Sequence, residues 1–90
     1  MYHLEFSASA KASIAKYKKS DQQAFKKVTK LLEELIEHPR SGSGHPEPLY
    51  SGNDVTYSRR INKKDRLVYD IYDDTIQVLV LSAEGHYSDK

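Results

Sequence analysis

The sequence contains no cysteine. Neither a disulfide nor a cysteine-based zinc site can therefore supplement the hydrophobic core, and a reducing cytoplasm is the simplest expected location. Long apolar runs are also missing, because no segment approaches the roughly 20 residues that a membrane helix needs. The first six residues lack the basic and apolar stretches of a signal peptide. We therefore expect a cytoplasmic protein with no membrane partner.

An excess of charge of one sign is missing as well. Lys and Arg number 14 against 13 Asp and Glu, which gives a formal net charge of +1. A strongly basic domain would indicate nucleic-acid binding through its overall charge, and this chain does not. Any phosphate-binding site must therefore be a local cluster. The four histidines show no metal-ligand spacing, so we expect neither a structural metal nor a cofactor.

The first half of the chain predicts one strand and two helices. Apolar and polar residues alternate over residues 2–6, as in a half-buried strand, and Ser7 is a suitable N-cap for a helix that starts directly after it. Residues 8–19 predict a weakly amphipathic helix. A second, strongly amphipathic helix is expected to start at a capping box in residues 20–23 and to end before Pro39.

The second half predicts a loop and three strands. Residues 40–54 are rich in glycine and proline and are typical of a loop. Residues 55–61, 66–72 and 75–82 are rich in β-branched and aromatic side chains and are separated by short polar turns, which predicts an antiparallel meander. We therefore expect one α+β domain over residues 1–90, with an N-terminal strand, two helices on one face of the sheet, and the meander.

Three arginines cluster at one end of the predicted meander. Arg59 and Arg60 are adjacent in a strand, so their side chains point to opposite faces, and a hairpin would bring Arg66 close to them. Guanidinium groups match phosphate oxygens and stay charged, which would suit a local anion site. The same pattern also fits solvated charges, or ion pairs with the nearby aspartates.

Two further residues have the chemistry of acid–base catalysts. Glu47 lies between Pro46 and Pro48, which restrict the backbone, and a fixed carboxylate can serve as a general base. The alternative is a merely solvated acidic residue. Histidine can donate or accept a proton at cellular pH, and His86 lies beside Tyr87, whose ring would stack on a base or pack on the sheet. The alternative for this pair is a frayed tail.

Four segments of the second half form an ordered set. They are residues 44–49 (Gly-His-Pro-Glu-Pro-Leu), 57–61 (Tyr-Ser-Arg-Arg-Ile), 65–69 (Asp-Arg-Leu-Val-Tyr) and the His86-Tyr87 pair. In order and spacing they resemble the YoeB/Txe branch of the RelE toxin superfamily, and the first half fits the layout of that family. The resemblance implies a microbial RNase-like α+β fold. It also implies an endoribonuclease that cuts messenger RNA in the ribosomal A site and is neutralised by a cognate antitoxin.

The resemblance also assigns roles to single residues. Glu47 matches the general base, His86 the general acid, and Arg60 and Arg66 the phosphate-binding arginines. The catalytic set that it implies is Glu47, Arg60, Arg66, His86 and Tyr87. Arg59 matches a basic neighbour in the family, and we expect Arg59, Tyr50 and Lys63 to bind RNA. The chain departs from the common pattern of the family where Tyr50 replaces a frequent lysine. No metal is expected in the reaction, which would form a 2′,3′-cyclic phosphate.

Other functions remain open at this point. The same fold serves as a non-catalytic toxin that docks to a partner such as gyrase in a related branch, although the retained pair of Glu47 and His86 favours an enzyme. A structural role in an autoregulatory complex with the antitoxin would be compatible with cleavage. The expected partners are messenger RNA, the ribosome and a cognate antitoxin, and the sequence leaves a homodimer open.

Overall fold

Two helices and five short strands make up the part of the chain that the computed structural model describes, residues 1–49 and 54–83. In chain order they are β1 (His3–Phe6), α1 (Ala8–Ser20), α2 (Gln22–Glu37), β2 (Glu47–Pro48), β3 (Thr56–Arg60), β4 (Arg66–Tyr72) and β5 (Gln77–Ser82). This confirms the predicted α+β fold. No helix within the described residues is both long and apolar enough to span a bilayer.

The five strands form one mixed sheet in the order β1-β5-β4-β3-β2. The meander β3-β4-β5 is antiparallel, as predicted, whereas β1 runs parallel to β5 at one edge. At the other edge β2 pairs with β3, inside the segment for which the sequence predicted only a loop. A strand of two residues that contains Pro48 gives almost no sequence signal, and proline is tolerated there because the strand lies at an edge.

The junction of the two helices differs by one residue from its prediction. Ser7 caps α1 as expected, with its hydroxyl accepting a hydrogen bond from the Ala10 amide at 3.0 Å. The N-cap of α2, however, is Asp21, whose carboxylate accepts from Ala24 N at 3.1 Å. The predicted capping box at Ser20 is therefore wrong. Ser20 is the last residue of α1, and its hydroxyl donates to the carbonyl of Lys16.

The core lies between the helices and one face of the sheet. Side chains alternate between the two faces of a strand, so every second residue of β3, β4 and β5 joins this core. The buried apolar cluster contains Ala10, Tyr17, Ala24, Val28, Leu31, Leu35, Tyr57, Ile61, Leu67, Tyr69, Ile71, Val78, Val80 and Ala83. The intervening residues of β3 and β4 belong to the opposite face of the sheet, which we call the site face.

Candidate active site

Arg60 and Arg66 are neighbours on the site face. They are direct cross-strand partners at the end of the β3-β4 hairpin. Directly opposed residues of an antiparallel pair carry their side chains on the same face, with Cβ atoms ~4.5–5.5 Å apart. Arg60 is exposed and Arg66 is half-buried. Two like charges at this spacing repel each other, and an anion bound between them would relieve the repulsion.

The turn between β3 and β4 fixes this pair. The Asn62 side-chain oxygen accepts hydrogen bonds from the amides of Lys64 and Asp65, and the Asp65 carbonyl accepts from the Ile61 amide. Asparagine often closes turns in this way. Lys63 is exposed within this turn, which adjoins the arginine pair. Its predicted contact with RNA stays a prediction.

Glu47 joins the same face from β2. Its Cα partner is Ser58, which lies two residues before Arg60 on β3 and therefore shares a face with it. The register is supported on both sides, because Arg60 N donates to Gly44 O at 2.7 Å and Leu49 N donates to Thr56 O at 2.8 Å. From strand spacing and rise, the Cα atoms of Glu47 and Arg60 lie about 8 Å apart. Side chains from these positions can reach the same phosphodiester.

The site face between these charged residues is formed by two buried side chains. Ser58 and Val68 are cross-strand partners in the middle of the site face, and both are buried, at 1% and 0% exposure. Val68 does not belong to the apolar cluster under the helices. A carboxylate and two guanidinium groups thus stand around two buried side chains that carry no formal charge. Electrostatic attraction to a phosphate is stronger in such surroundings than in bulk water.

Three aspartates near the arginines have other partners among the described residues. Asp73 forms a salt bridge with Arg40 at 3.0 Å, so the pKa of Asp73 lies below its ordinary value. Asp70 accepts hydrogen bonds from the hydroxyls of Thr56 and Tyr72. Asp65 lies 2.7 Å from the Tyr17 hydroxyl. The salt bridge between Asp73 and Arg40 disfavours a pairing of Asp73 with Arg60 or Arg66.

Arg59 has a different place from the one that the resemblance implied. It lies on the core face of β3, and its side chain is 0% exposed. A guanidinium group has five N–H donors, and five acceptors lie within hydrogen-bonding distance. They are Tyr69 Oη (2.9 Å), Glu34 Oε1 (2.9 Å), and the carbonyl oxygens of Ser43 (3.3 Å), His38 (2.6 Å) and Ser41 (2.7 Å). No N–H remains for a phosphate, so the prediction that Arg59 binds RNA is corrected.

Sequence reasoning missed the partner of this buried cation. Glu34 lies on α2, in a helix with several glutamates, where nothing in the pattern distinguished it. Its carboxylate accepts from the Ser43 amide at 2.7 Å and forms a salt bridge with Arg59 at 2.9 Å. The hydrogen bond from Ser43, reinforced by the nearby charge of Arg59, holds the pKa of Glu34 below its ordinary value.

A second buried contact was also missed. The Tyr17 hydroxyl lies 2.7 Å from Asp65 Oδ2 and 2.8 Å from the carbonyl oxygen of Ala83. This contact joins α1 to the turn that precedes Arg66 and to the residue that comes after β5. The sequence gave no signal of this contact, because residues 8–19 predicted only a weakly amphipathic helix.

Three predicted site residues lie outside the described residues. They are Tyr50, which comes after β2 in the chain, and His86 and Tyr87 near the C-terminus. The structure therefore brings together Glu47, Arg60 and Arg66. The predicted roles of the other three stay predictions.

Comparison with known proteins identifies the family. Residues 6–87 match the family described as YoeB-like toxin of bacterial type II toxin-antitoxin system. The protein named Toxin YoeB from Mycobacterium bovis (strain ATCC BAA-935 / AF2122/97) is 40% identical over 68 residues, which cover 76% of this chain and 78% of that protein.

Solved structures agree with the sequence match. The YoeB dimer from Staphylococcus aureus superposes with a TM-score of 0.83 at 32% identity, covering 96% of this chain and 98% of that chain. The toxin in the heterotetrameric YoeB-YefM toxin-antitoxin complex from the same species superposes with a TM-score of 0.79 at 32% identity, covering 97% of this chain and 99% of that chain. The chain belongs to the YoeB-like toxins of bacterial type II toxin-antitoxin systems.

Proposed function

We propose that this toxin is a ribosome-dependent endoribonuclease, which cleaves messenger RNA in the A site by general acid–base catalysis and is neutralised by a cognate antitoxin. The observation that carries the proposal is the placement of Glu47, Arg60 and Arg66 on one face of the sheet, about 8 Å or less apart between neighbouring Cα positions. A carboxylate beside two guanidinium groups is suited to an RNA phosphodiester.

Each residue has one step in the proposed reaction. Glu47 accepts the proton of the ribose 2′-hydroxyl, whose oxygen attacks the adjacent phosphorus atom. Arg60 and Arg66 balance the negative charge of the phosphorane that forms. His86 donates a proton to the departing 5′-oxygen, which leaves a 2′,3′-cyclic phosphate on the upstream fragment and a 5′-hydroxyl on the other. Tyr87 stacks on a neighbouring base in this scheme.

The three functions together require no metal ion, because carboxylate, imidazole and guanidinium groups supply base, acid and charge. General acid and base catalysis each contribute typically ~10²- to 10⁴-fold in rate. The remaining acceleration must come from holding the RNA in a reactive geometry, and the ribosome supplies that positioning in this proposal. Tyr50 and Lys63, which follow Glu47 and Arg60 respectively by three residues in the sequence, are proposed to contact the RNA.

The antitoxin is proposed from the family and from one relative. The Staphylococcus aureus toxin forms a heterotetrameric toxin-antitoxin complex with YefM, and a dimer of the toxin is also known. We propose a cognate antitoxin for this chain on the same basis, and a homodimer as the state to test by light scattering. An antitoxin that covers the site face would block access of RNA to Glu47.

The experiment measures cleavage of messenger RNA on purified ribosomes by the wild type and by Glu47→Gln. The glutamine cannot accept the proton, so the single-turnover rate is expected to fall by ~10²- to 10⁴-fold. Glu37→Gln, the same change at an exposed position near the end of α2, is the control and should cleave at the wild-type rate. Unchanged cleavage by Glu47→Gln, or intact messenger RNA together with inhibited DNA supercoiling by the wild type, would refute the proposal.

A further inference from the structure

The segment between α2 and β2 leads directly into Glu47, and the side chains of Arg59 and Glu34 hold it at several points. Its carbonyl groups at His38, Ser41 and Ser43 all accept hydrogen bonds from the guanidinium group of Arg59. The amide of Ser43 donates to Glu34. Since β2 contains only two residues, the position of Glu47 depends on how this preceding segment is held.

The backbone of the segment is shaped to fit these two side chains. Gly42 has a φ of +120° and Gly44 a φ of +81°, conformations that L side chains rarely adopt. A Cβ atom on Gly42 would overlap the Glu34 carboxylate, and one on Gly44 would lie 3.0 Å from the Arg60 carbonyl oxygen. Both glycines therefore allow the chain to approach β3 and α2 closely. The segment packs against this ion pair, in which Arg59 is 0% and Glu34 24% exposed.

We propose that Arg59 and Glu34 are positioning residues, which together hold the 38–47 segment so that Glu47 stands at the correct distance from Arg60 and Arg66. The proposal rests on the role of Glu47 in the proposed function. The two neighbouring arginines of β3 therefore have different roles. Arg59 sets the location of the base from the core side, while Arg60 contributes to the phosphate site on the other face.

The experiment uses two substitutions of one residue. Glu34→Ala removes the acceptor of both Ser43 and Arg59, whereas Glu34→Gln keeps an oxygen for these bonds. A displacement of about 1 Å in a catalytic group can cost ~10²-fold in rate. We expect Glu34→Ala to lower the single-turnover rate of cleavage on ribosomes by about 10- to 100-fold with unchanged half-saturation, and Glu34→Gln to stay within about 3-fold. Glu33→Ala, at the exposed neighbouring position, is the control.

A double-mutant cycle separates positioning from a general loss of folded protein. If Glu34 acts through the base, Glu34→Ala should slow cleavage little or not at all when Glu47 is already glutamine. A purely structural effect would instead lower the rate by the same factor in both backgrounds, and that result would overturn the proposal. Gly42→Ala, which pushes against the same carboxylate, provides a second route if Glu34→Ala does not fold.

The two proposals fail in different ways. Wild-type cleavage by Glu47→Gln would refute the catalytic role of Glu47 and with it this inference. Slow cleavage by Glu47→Gln, combined with wild-type rates for both Glu34→Ala and Gly42→Ala, would refute the positioning role alone.

Discussion

Arg59 and Arg60 allow the same chemical change to be made at two adjacent positions with opposite surroundings. Arg59 is 0% exposed and uses all five of its N–H groups, whereas Arg60 is exposed on the site face. Lysine keeps the positive charge at either position but replaces a planar fork by a single ammonium with three donors. At least two of the five acceptors around residue 59 would lose their hydrogen bonds in Arg59→Lys.

The number of hydrogen bonds lost sets the expected decrease in the free energy of unfolding of Arg59→Lys. Each buried acceptor left without a partner costs ~1–3 kcal/mol, so two such losses give about 3 kcal/mol for Arg59→Lys. In a domain of this size that corresponds to a fall of roughly 12–24 °C in melting temperature. Arg60→Lys, at an exposed position, should change the free energy of unfolding by less than ~0.5 kcal/mol.

Urea and thermal unfolding of the two variants, monitored by circular dichroism, provide the measurement. In the cleavage assay folded Arg60→Lys should lose more activity than folded Arg59→Lys, because lysine cannot make the bidentate phosphate contact that is proposed for Arg60. Equal destabilisation by the two substitutions would contradict the buried network described for Arg59. A stable Arg59→Lys variant that had lost binding to ribosomes would instead restore the prediction that Arg59 contacts RNA.

Two further predictions concern stability. The contacts described above lower the pKa values of Glu34 and Asp73, and the hydrogen bond from the Tyr57 hydroxyl, with Arg40 nearby, lowers the pKa of Asp54. Their contribution to stability is therefore fully present above the ordinary values of 4.5 for glutamate and 3.8 for aspartate. It is lost as the pH falls through the lower folded-state values, and urea unfolding from neutral pH to about pH 3 should show a weaker acid-dependent loss in Glu34→Gln than in the wild type. Tyr17→Phe should destabilise the fold by ~1–3 kcal/mol because it removes the buried hydroxyl beside Asp65 and Ala83. Tyr72→Phe, the same change at an exposed hydroxyl, should cost less than ~0.5 kcal/mol, and equal losses in chemical denaturation would contradict this.

Local patterns were sufficient to predict most of the fold. Period-two alternation predicted β1, runs rich in β-branched and aromatic residues predicted the meander, and helical periodicity predicted α1 and α2. The four-residue turn between residues 61 and 66 was enough to predict that Arg66 lies near the end of β3. The pairing of β1 with β5 was not predicted, because it joins residues more than 70 positions apart and no local pattern records it.

The candidate site was predictable to a smaller extent. Alternation required Arg59 and Arg60 to face opposite ways, but the sequence could not show which of them faced the core. That choice depends on the face of β3 on which α2 packs, and on Glu34, which lies 25 residues before Arg59. The short strand that carries Glu47 was missed for a related reason, because its pairing depends on the anchored segment before it and not on its own two residues.

The arginine pair leads to a last prediction, in which function and stability oppose each other. Arg60 and Arg66 are directly opposed across the hairpin, and like charges in that arrangement destabilise a sheet, by up to ~1 kcal/mol. Arg60→Gln should therefore raise the free energy of unfolding by roughly 0.2–1 kcal/mol while it lowers cleavage. Added salt should stabilise the wild type more than this variant, because screening weakens a repulsion that the variant lacks. Lys63→Gln in the adjoining turn removes a charge that lies outside the strand pairing and should change stability less. If Arg60→Gln were less stable than the wild type at every salt concentration, the two guanidinium groups would not be held in opposition, and the phosphate site inferred from them would lose its physical basis.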